Sequence, residues 1–209
     1  MIVGSRGSNL AKAQVAEIAK IIGPFNVIWV ETVGDTDKQT SLRLLGKSDF
    51  FTKELDEMLI NGLIDAAIHS AKDLPDPLHK ALEITAITAG LDPRDALVFR
   101  KGWTLETLPE NAVIATSSPR REDAARRIVN KKCRFIDLRG TIEERLNKKE
   151  ADAVVIAEAA LIRLNLTHLP RYVMPDETVE GQGKLAVVIR KGDLIIAKAF
   201  ERCRGASFI

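Results

Sequence analysis

The stretch that decides the fold is AVIATSSPRR, residues 112–121. Its apolar opening predicts a short buried strand, and Ser118 before Pro119 is typical of a helix N-cap followed by proline in the first turn. The sequence therefore predicts a strand that passes directly into a helix, which extends to about Asn130. A strand joined to a helix in this way is the repeating unit of an α/β fold.

Outward from this junction, strand-like and helix-like segments alternate along the chain. Predicted strands cover residues 2–3, 26–33, 66–69, 82–88, 96–99, 112–115, 134–138, 154–157 and 187–189. Predicted helices cover residues 10–22, 50–61, 119–130 and 159–164, with another from a capping box at 141–144 and a tail from 194. The alternation predicts an α/β protein with largely parallel strand pairing. Residues 34–49 are typical of a polar loop, residues 91–94 of a hinge, and a second crossing is expected near residues 170–175.

Composition excludes several classes of function. Hydrophobic residues make up 45% and charged residues 29%, enough for an aliphatic core under a polar surface. The net charge of +2 is too small to indicate a nucleic-acid partner, and no apolar run reaches the roughly 18 residues that a membrane span needs. The two cysteines, Cys133 and Cys203, match no metal-site spacing. We therefore expect a cytoplasmic protein with no metal, no membrane span and no bound nucleic acid.

The most informative polar cluster is Thr116–Arg121, with three hydroxyl and two guanidinium groups. It lies where a strand meets a helix N-terminus, and the free N–H groups and the helix dipole favour an anion there. Arg120 and Arg121 would bind carboxylates. The same pattern also fits a purely structural Ser-Pro cap beside solvated arginines.

A second cluster contains Arg139 and Arg145. Arg139 follows a predicted strand, and Arg145 lies about one turn into the next helix. In a parallel sheet both would lie at the carboxyl edge, where ligands bind. Together with Arg120 and Arg121 they predict a cationic cleft for a small polycarboxylate; four separate surface arginines are the alternative.

Further polar groups follow other predicted strands. A buried strand ending at His69 leads to Lys72 and Asp73, and an acid at that position is well placed for proton transfer, although a loop salt bridge also fits. The small-residue turn of residues 4–8 could bind an anion through backbone N–H groups. Residues 181–183, Gly-Gln-Gly, predict a tight turn before a strand.

In order and spacing, these segments resemble the porphobilinogen deaminase (hydroxymethylbilane synthase) family. The matching motifs are RGSNLAKAQ at 6–14, FTKEL at 51–55, HSAKDLP at 69–75, DPRDA at 92–96, TSSPRR at 116–121, LRG at 138–140 with Arg145, and GQG at 181–183. The resemblance implies an α/β fold of two domains like a type II periplasmic-binding protein, with the active cleft between them. Domain 1 would comprise residues 1–91 plus 175–209, and domain 2 residues 92–174.

The family condenses four porphobilinogen molecules to hydroxymethylbilane in haem biosynthesis and releases ammonia at each step. It uses a dipyrromethane cofactor bound through a thioether to a cysteine. The resemblance implies that Asp73 is the catalytic carboxylate, which assists ammonia loss and stabilises the electron-poor pyrrole. Phe51 would stack on a pyrrole ring, and Lys53 would be a further contact. The acetate and propionate groups would be held by Arg6, Ser8, Lys72, Thr116, Ser117, Ser118, Arg120, Arg121, Arg139 and Arg145.

The chain departs from the family pattern in two places. The family continues into a third domain that bears the cofactor cysteine, whereas only about a helix's worth of sequence follows residues 181–189, so we expect that domain to be largely absent. Cys203 is then the candidate for covalent cofactor attachment, because Arg202 and Arg204 could lower its pKa; an incidental tail cysteine is the alternative. In residues 47–51, KSDFF stands where the family often has K-G-x-F.

Two functions therefore stay open. One is a deaminase, either self-contained or completed by a partner chain that supplies the missing domain. The other is a non-catalytic or partner-dependent binder of pyrrole polycarboxylates.

Overall fold

A computed structural model describes residues 1–37, 40, 43, 49–176 and 178–207. The strands are β1 (Ile2–Arg6), β2 (Asn26–Val30), β3 (Ala66–Ser70), β4 (Leu82–Ile87), β5 (Asp95–Phe99), β6 (Ala112–Ala115), β7 (Cys133–Ile136), β8 (Ala153–Ala157), β9 (Arg171–Val173) and β10 (Leu185–Arg190). The helices are α1 (Asn9–Ile22), α2 (Val33–Thr36), α3 (Lys53–Ile60), α4 (Pro119–Val129), α5 (Ile142–Leu146), α6 (Glu158–Arg163) and α7 (Leu194–Ala199).

The described residues form two compact units, each built on a five-stranded sheet. The first unit contains residues 1–37, 49–91 and 179–207. The second contains residues 92–176 and 178, together with Thr40 and Arg43.

The sheet of the first unit has the order β2-β1-β3-β10-β4. Strand β1 is parallel to β2 and β3, whereas β10 is antiparallel to β3 and β4. The expectation of largely parallel pairing is therefore wrong, and the sheet is mixed. The cause is the turn before β10: Gly181 packs at the carboxyl end of β3, where a Cβ atom would lie 3.1 Å from the backbone of Ala71 and Lys72. Because β10 begins at that edge, it runs opposite to β3.

Helices cover both faces of this first sheet. On one face Val15 and Ile18 of α1 pack with Ile68 and Val187, and on the other Leu55 of α3 packs near the paired Ala67–Val188 position, as the two-residue period of a strand requires. Each of the large apolar side chains that is fully buried stabilises the unit by about 1.5–3 kcal/mol.

The sheet of the second unit has the order β7-β6-β8-β5-β9. Strand β6 is parallel to β7 and β8, and β5 is antiparallel to β8 and β9. Strand β9 was not predicted, because three residues are too few to show an alternating pattern. Helix α4 buries Ala124, Ala125 and Val129 against the sheet.

Capping chemistry decides where several elements begin. Ser118 caps α4 ahead of Pro119, and Thr141 forms the predicted capping box at α5. The predicted strand 26–33 stops at Val30, because the Thr32 N–H and hydroxyl bind the Asp35 carboxylate and start α2. Of the predicted polar loop, residues 38, 39, 41, 42 and 44–48, with Lys47 and Ser48 of the KSDFF stretch, lie outside the described residues.

Candidate functional site

In the first unit, polar side chains gather where β1 and β3 end. Both strands run the same way, so Arg6 at the end of β1 and the turn Ala71–Asp73 after β3 lie at one edge of the sheet. Asp73 is half-buried there. His69 is buried, and burial lowers its pKa to about 4 although the Asp73 charge opposes this shift. The imidazole is therefore neutral at pH 7, as suits a structural histidine.

Lys72 is held by the Gly-Gln-Gly turn. Its Nζ donates to Oε1 of Gln182 at 3.2 Å, and Gln182 is buried. Gly181 has φ +76°, a conformation that favours glycine, and packs directly on the Lys72 backbone. The sequence indicated the turn but gave no sign that its glutamine contacts Lys72.

Arg6 is fixed by two groups. Its Nε donates to both Asp35 carboxylate oxygens at 3.1 Å, its Nη2 also binds Oδ1, and its guanidinium lies 4.5 Å from the Phe51 ring centroid. Burial alone would raise the pKa of Asp35, but the bonds and charge of Arg6 together with the Thr32 bonds outweigh it and lower the pKa. The family resemblance implies that Phe51 stacks on a pyrrole ring, and in the structure its ring makes a cation–π contact with Arg6.

Ser8 and Lys53, the other two residues of the first unit that the resemblance suggests as ligand contacts, lie at the starts of the helices α1 and α3. Ser8 is the N-cap of α1, and its Oγ accepts from the Ala11 N–H at 3.2 Å. Lys53 is the exposed first residue of α3.

The second unit contains a cavity of about 300 Å³ at the β6–α4 junction. Such a volume lies at the lower end of the range for small-molecule sites. The walls combine guanidinium, hydroxyl and apolar groups, contributed by Arg43, Thr116, Ser117, Ser118, Pro119, Arg121, Leu138, Arg145 and Val155. The structure thus brings Thr116, Ser117, Ser118, Arg121 and Arg145 together, while Arg120 and Arg139 are not among the described lining residues.

Asp95 joins the two arginines of the TSSPRR motif. Its side chain is 1% exposed and accepts from Arg120 Nη2 at 2.6 Å and Arg121 Nη2 at 2.7 Å. Burial would raise the pKa of Asp95, but the charges and bonds of the two arginines lower it. The sequence shows Asp95 only as part of the DPRDA motif and does not indicate this role, because its partners lie 25 and 26 residues away.

The hydroxyls of the second unit also have structural partners. Ser117 Oγ accepts from the Leu138 N–H at 2.8 Å and lies 2.9 Å from the Leu138 carbonyl, so it joins the ends of β6 and β7. Thr116 Oγ1 accepts from the Ser118 N–H at 3.2 Å. The Ser-Pro cap predicted as the structural alternative is present, and the capped helix start also lines the cavity.

Arg43 is a wall residue that no sequence pattern indicated. Its Nε donates to Asp137 at 2.7 Å, its Nη1 pairs with Glu122 at 2.7 Å, and its Nη2 donates to the Thr116 carbonyl at 2.8 Å. The bond to Glu122 is the main reason that its pKa is raised. Carboxylates thus contact the guanidinium groups of Arg43, Arg120 and Arg121 before any ligand binds. Arg145 Nε donates to the Gly140 carbonyl at 2.8 Å, and Arg139 is half-buried beyond β7.

Neither thiol has the character expected of a cofactor anchor. Cys203 is 0% exposed in the core beside Phe200, and burial raises its pKa to about 11 even though Arg202 lowers it. The expectation that neighbouring arginines favour the thiolate is therefore wrong, because desolvation is the stronger effect. Burial likewise raises the pKa of the half-buried Cys133.

The described residues contain neither a cluster suited to a metal ion nor a helix suited to a membrane span. No group of three or more histidine, cysteine, aspartate or glutamate side chains there could hold a metal ion. None of the helices in that part of the chain has the length and apolar character needed to cross a membrane.

Comparison with known sequences gives a consistent result. Residues 1–198 match the family described as "Porphobilinogen deaminase, dipyromethane cofactor binding domain". The porphobilinogen deaminase of Rubrobacter xylanophilus is 36% identical, with 92% of this chain and 66% of that protein covered. The probable porphobilinogen deaminase of Chlamydia pneumoniae is 38% identical, with 90% of this chain and 83% of that protein covered. The porphobilinogen deaminase of Phenylobacterium zucineum is 39% identical, with 97% of this chain and 70% of that protein covered. The chain thus spans from about two thirds to four fifths of these relatives' length.

Solved structures of low sequence identity share the fold. A periplasmic substrate-binding protein of an ABC transporter from Coxiella burnetii matches with a TM-score of 0.59 at 14% identity, covering 97% of this chain and 91% of that one. An ancestral cationic amino acid solute binding protein matches with a TM-score of 0.54 at 16% identity, covering 96% and 86%. The prediction of a type II periplasmic-binding-protein fold is confirmed.

Proposed function

Because the chain belongs to the porphobilinogen deaminase family, we propose that it binds porphobilinogen and takes part in its condensation to hydroxymethylbilane with release of ammonia. The observation that carries this proposal is the cavity of the second unit, with Arg43, Arg121 and Arg145 in its wall. Each porphobilinogen carries an acetate and a propionate group, and arginine is the side chain best shaped to bind carboxylates.

The residues present fit a dipyrromethane cofactor. Its two linked pyrroles carry the same acetate and propionate groups, which match the guanidinium groups and the N-terminus of α4. When bound, the cofactor supplies the pyrrole to which substrate is joined. Arg121 and Arg145 would bind carboxylates, and Asp95 would hold Arg121 in place for that purpose.

Asp73 is the proposed catalytic carboxylate. It lies at the same sheet edge as Arg6 and Lys72, so cations that bind carboxylates stand near one acid. The acid would accept a hydrogen bond from the substrate pyrrole N–H and stabilise the positive charge that develops as ammonia leaves. A fixed carboxylate serves a developing cation as fixed donors serve an oxyanion.

We place the covalent attachment of the cofactor outside these 209 residues. The two thiols of the chain are fully or partly buried and have raised pKa values, so neither is a ready nucleophile. The attachment cysteine would come from further sequence of the same protein or from a partner chain. A cytoplasmic location fits the two unpaired cysteines.

A non-catalytic binder of pyrrole polycarboxylates is the second candidate, favoured by the buried thiols. The two candidates differ in whether ammonia leaves bound porphobilinogen. The test uses protein purified from cells that make porphobilinogen, with Asp73→Asn as the variant and Asp76→Asn, an exposed acid three residues away, as the control.

The assay also contains the polypeptide that bears the attachment cysteine. A deaminase should then release ammonia with the parent and control proteins, and Asp73→Asn should lower the rate about 100-fold or more. Binding without ammonia release by the parent protein in that mixture would establish the second candidate. Release by Asp73→Asn at the parental rate would refute the role of Asp73.

A further inference from the structure

The guanidinium of Arg6 is held on one edge and one face. Asp35 accepts from Nε and Nη2, which occupies the side edge of the group. The Phe51 ring lies 4.5 Å from the guanidinium carbon, within the range of a cation–π contact. An arginine side chain has many rotamers, and two such contacts of different kinds reduce them strongly.

Asp35 is itself fixed in position. Its Oδ2 accepts from the Thr32 N–H at 3.1 Å and from the Thr32 hydroxyl at 2.9 Å, both within the cap that starts α2. Arg6 is therefore bound to an acid that the local backbone already orients.

Phe51 is also constrained. A side chain on Gly34 would overlap its ring, so α2 and the ring are in close contact, and the Gly34 N–H donates to the Phe50 carbonyl at 3.0 Å. The Phe50 ring stands edge-on to it at 5.2 Å between centroids. The ring that supports Arg6 is thus anchored to the same short helix as Asp35.

The remaining edge of Arg6 is suited to a ligand. Within the described part of the chain, Nη1 has no hydrogen-bond partner, and the side chain is 26% exposed. A guanidinium that binds one carboxylate side-on can bind a second one at its other edge.

We infer that Asp35 and Phe51 are positioning residues, which hold Arg6 in one orientation for the carboxylate-binding role that the family resemblance gives it. Phe51 acts on the ligand through Arg6. The identity of the ligand rests on the proposed function; the positioning of Arg6 does not.

The positioning is tested without any ligand, by NMR of the Arg6 Nε–H. In the parent protein this proton should show an upfield ring-current shift and slow solvent exchange. Phe51→Leu should remove the shift, and Asp35→Asn should speed exchange about ten-fold, the factor that corresponds to the loss of one charge-assisted hydrogen bond. Glu31→Gln, an exposed acid just before α2, is the matched control and should change neither. An unchanged signal in Phe51→Leu or Asp35→Asn would overturn the inference.

The action through Arg6 is tested by the affinity for porphobilinogen, measured by calorimetry. Phe51→Leu should weaken binding about three- to ten-fold, the range of one cation–π contact. Phe51→Tyr, which keeps a ring, should bind within about two-fold of the parent protein. In an Arg6→Gln background, Phe51→Leu should cause no further loss, because coupled residues are not additive.

An equal loss from Phe51→Leu in that background would show that the ring contacts the ligand directly and would overturn the inference. If the parent protein does not bind porphobilinogen, the proposed function and the carboxylate role of Arg6 both fail. The NMR signals still decide the positioning in that case.

Discussion

Replacing Asp95 with alanine is expected to destabilise the second unit more than loss of Asp92, the other carboxylate of the DPRDA motif. The acid is 1% exposed and joins two guanidinium groups at 2.6 and 2.7 Å. Without it, Arg120 and Arg121 would each lose this charged acceptor while their two positive charges stay close together.

The magnitude follows from these contacts. Each lost hydrogen bond to a charged group is worth about 1.5–3 kcal/mol, and breaking a buried ion pair from one side costs about 3–5 kcal/mol. The Arg120 and Arg121 side chains are 29% and 12% exposed, so hydration of their charges offsets part of this loss of stability. We therefore expect a loss of about 3 kcal/mol for Asp95→Ala, and about half of that for Asp95→Asn, which keeps one acceptor.

The assay is urea unfolding followed by circular dichroism, where a lower midpoint at unchanged slope reports lost stability. The matched control is Asp92→Asn in the same motif, whose partner Arg94 is 53% exposed. An exposed ion pair contributes little to stability, so this control should have the same urea midpoint as the parent protein. Equal effects of the two substitutions, or a parental midpoint for Asp95→Ala, would refute the reasoning.

Three further outcomes are expected. Burial raises the pKa of Asp56 to about 6, above the value of about 3.9 in the unfolded chain, so the free energy of unfolding should fall as pH rises from about 4 to 6. Urea unfolding should show that Asp56→Asn abolishes this fall and is more stable than the parent protein at pH 8. The same pH profile for the variant and the parent protein would contradict this expectation. In the folded protein a thiol reagent should label Cys133 well before Cys203, since the latter is 0% exposed, and equally rapid labelling of both would show that Cys203 is accessible. Ser117→Ala removes the hydroxyl contacts to Leu138 and should cost about 1–2 kcal/mol in urea unfolding, against no change if those contacts are incidental.

Local signals in the sequence predicted most of the elements. Strand β6 begins and ends where predicted, and the capping residues Ser118 and Thr141 start the helices α4 and α5 as expected. These signals succeed because a cap or an apolar run acts over a few neighbouring residues. The direction of β10 was not predictable in this way, since it depends on where the turn at Gly181 packs.

The sequence predicts the arginines and hydroxyls that residues 116–145 contribute to the cavity wall, but it indicates neither Arg43 nor the acids that hold the arginines. Asp35 lies 29 residues from Arg6, and Asp95 lies 26 from Arg121, so nothing in the local pattern connects them. The expectation of a lowered pKa for Cys203 was wrong for a related reason. The sequence shows the charges of its neighbours, whereas its burial depends on the packing of the whole core.

The most direct test of the central claim is a calorimetric titration of this chain with porphobilinogen. The parent protein should bind it, and Arg121→Gln and Arg145→Gln should each weaken binding about ten-fold or more, because each removes a charged group from the cavity wall. Arg134→Gln, an exposed arginine on β7, is the matched control and should bind like the parent protein. Absence of binding by the parent protein, or equal binding by all four proteins, would contradict the account.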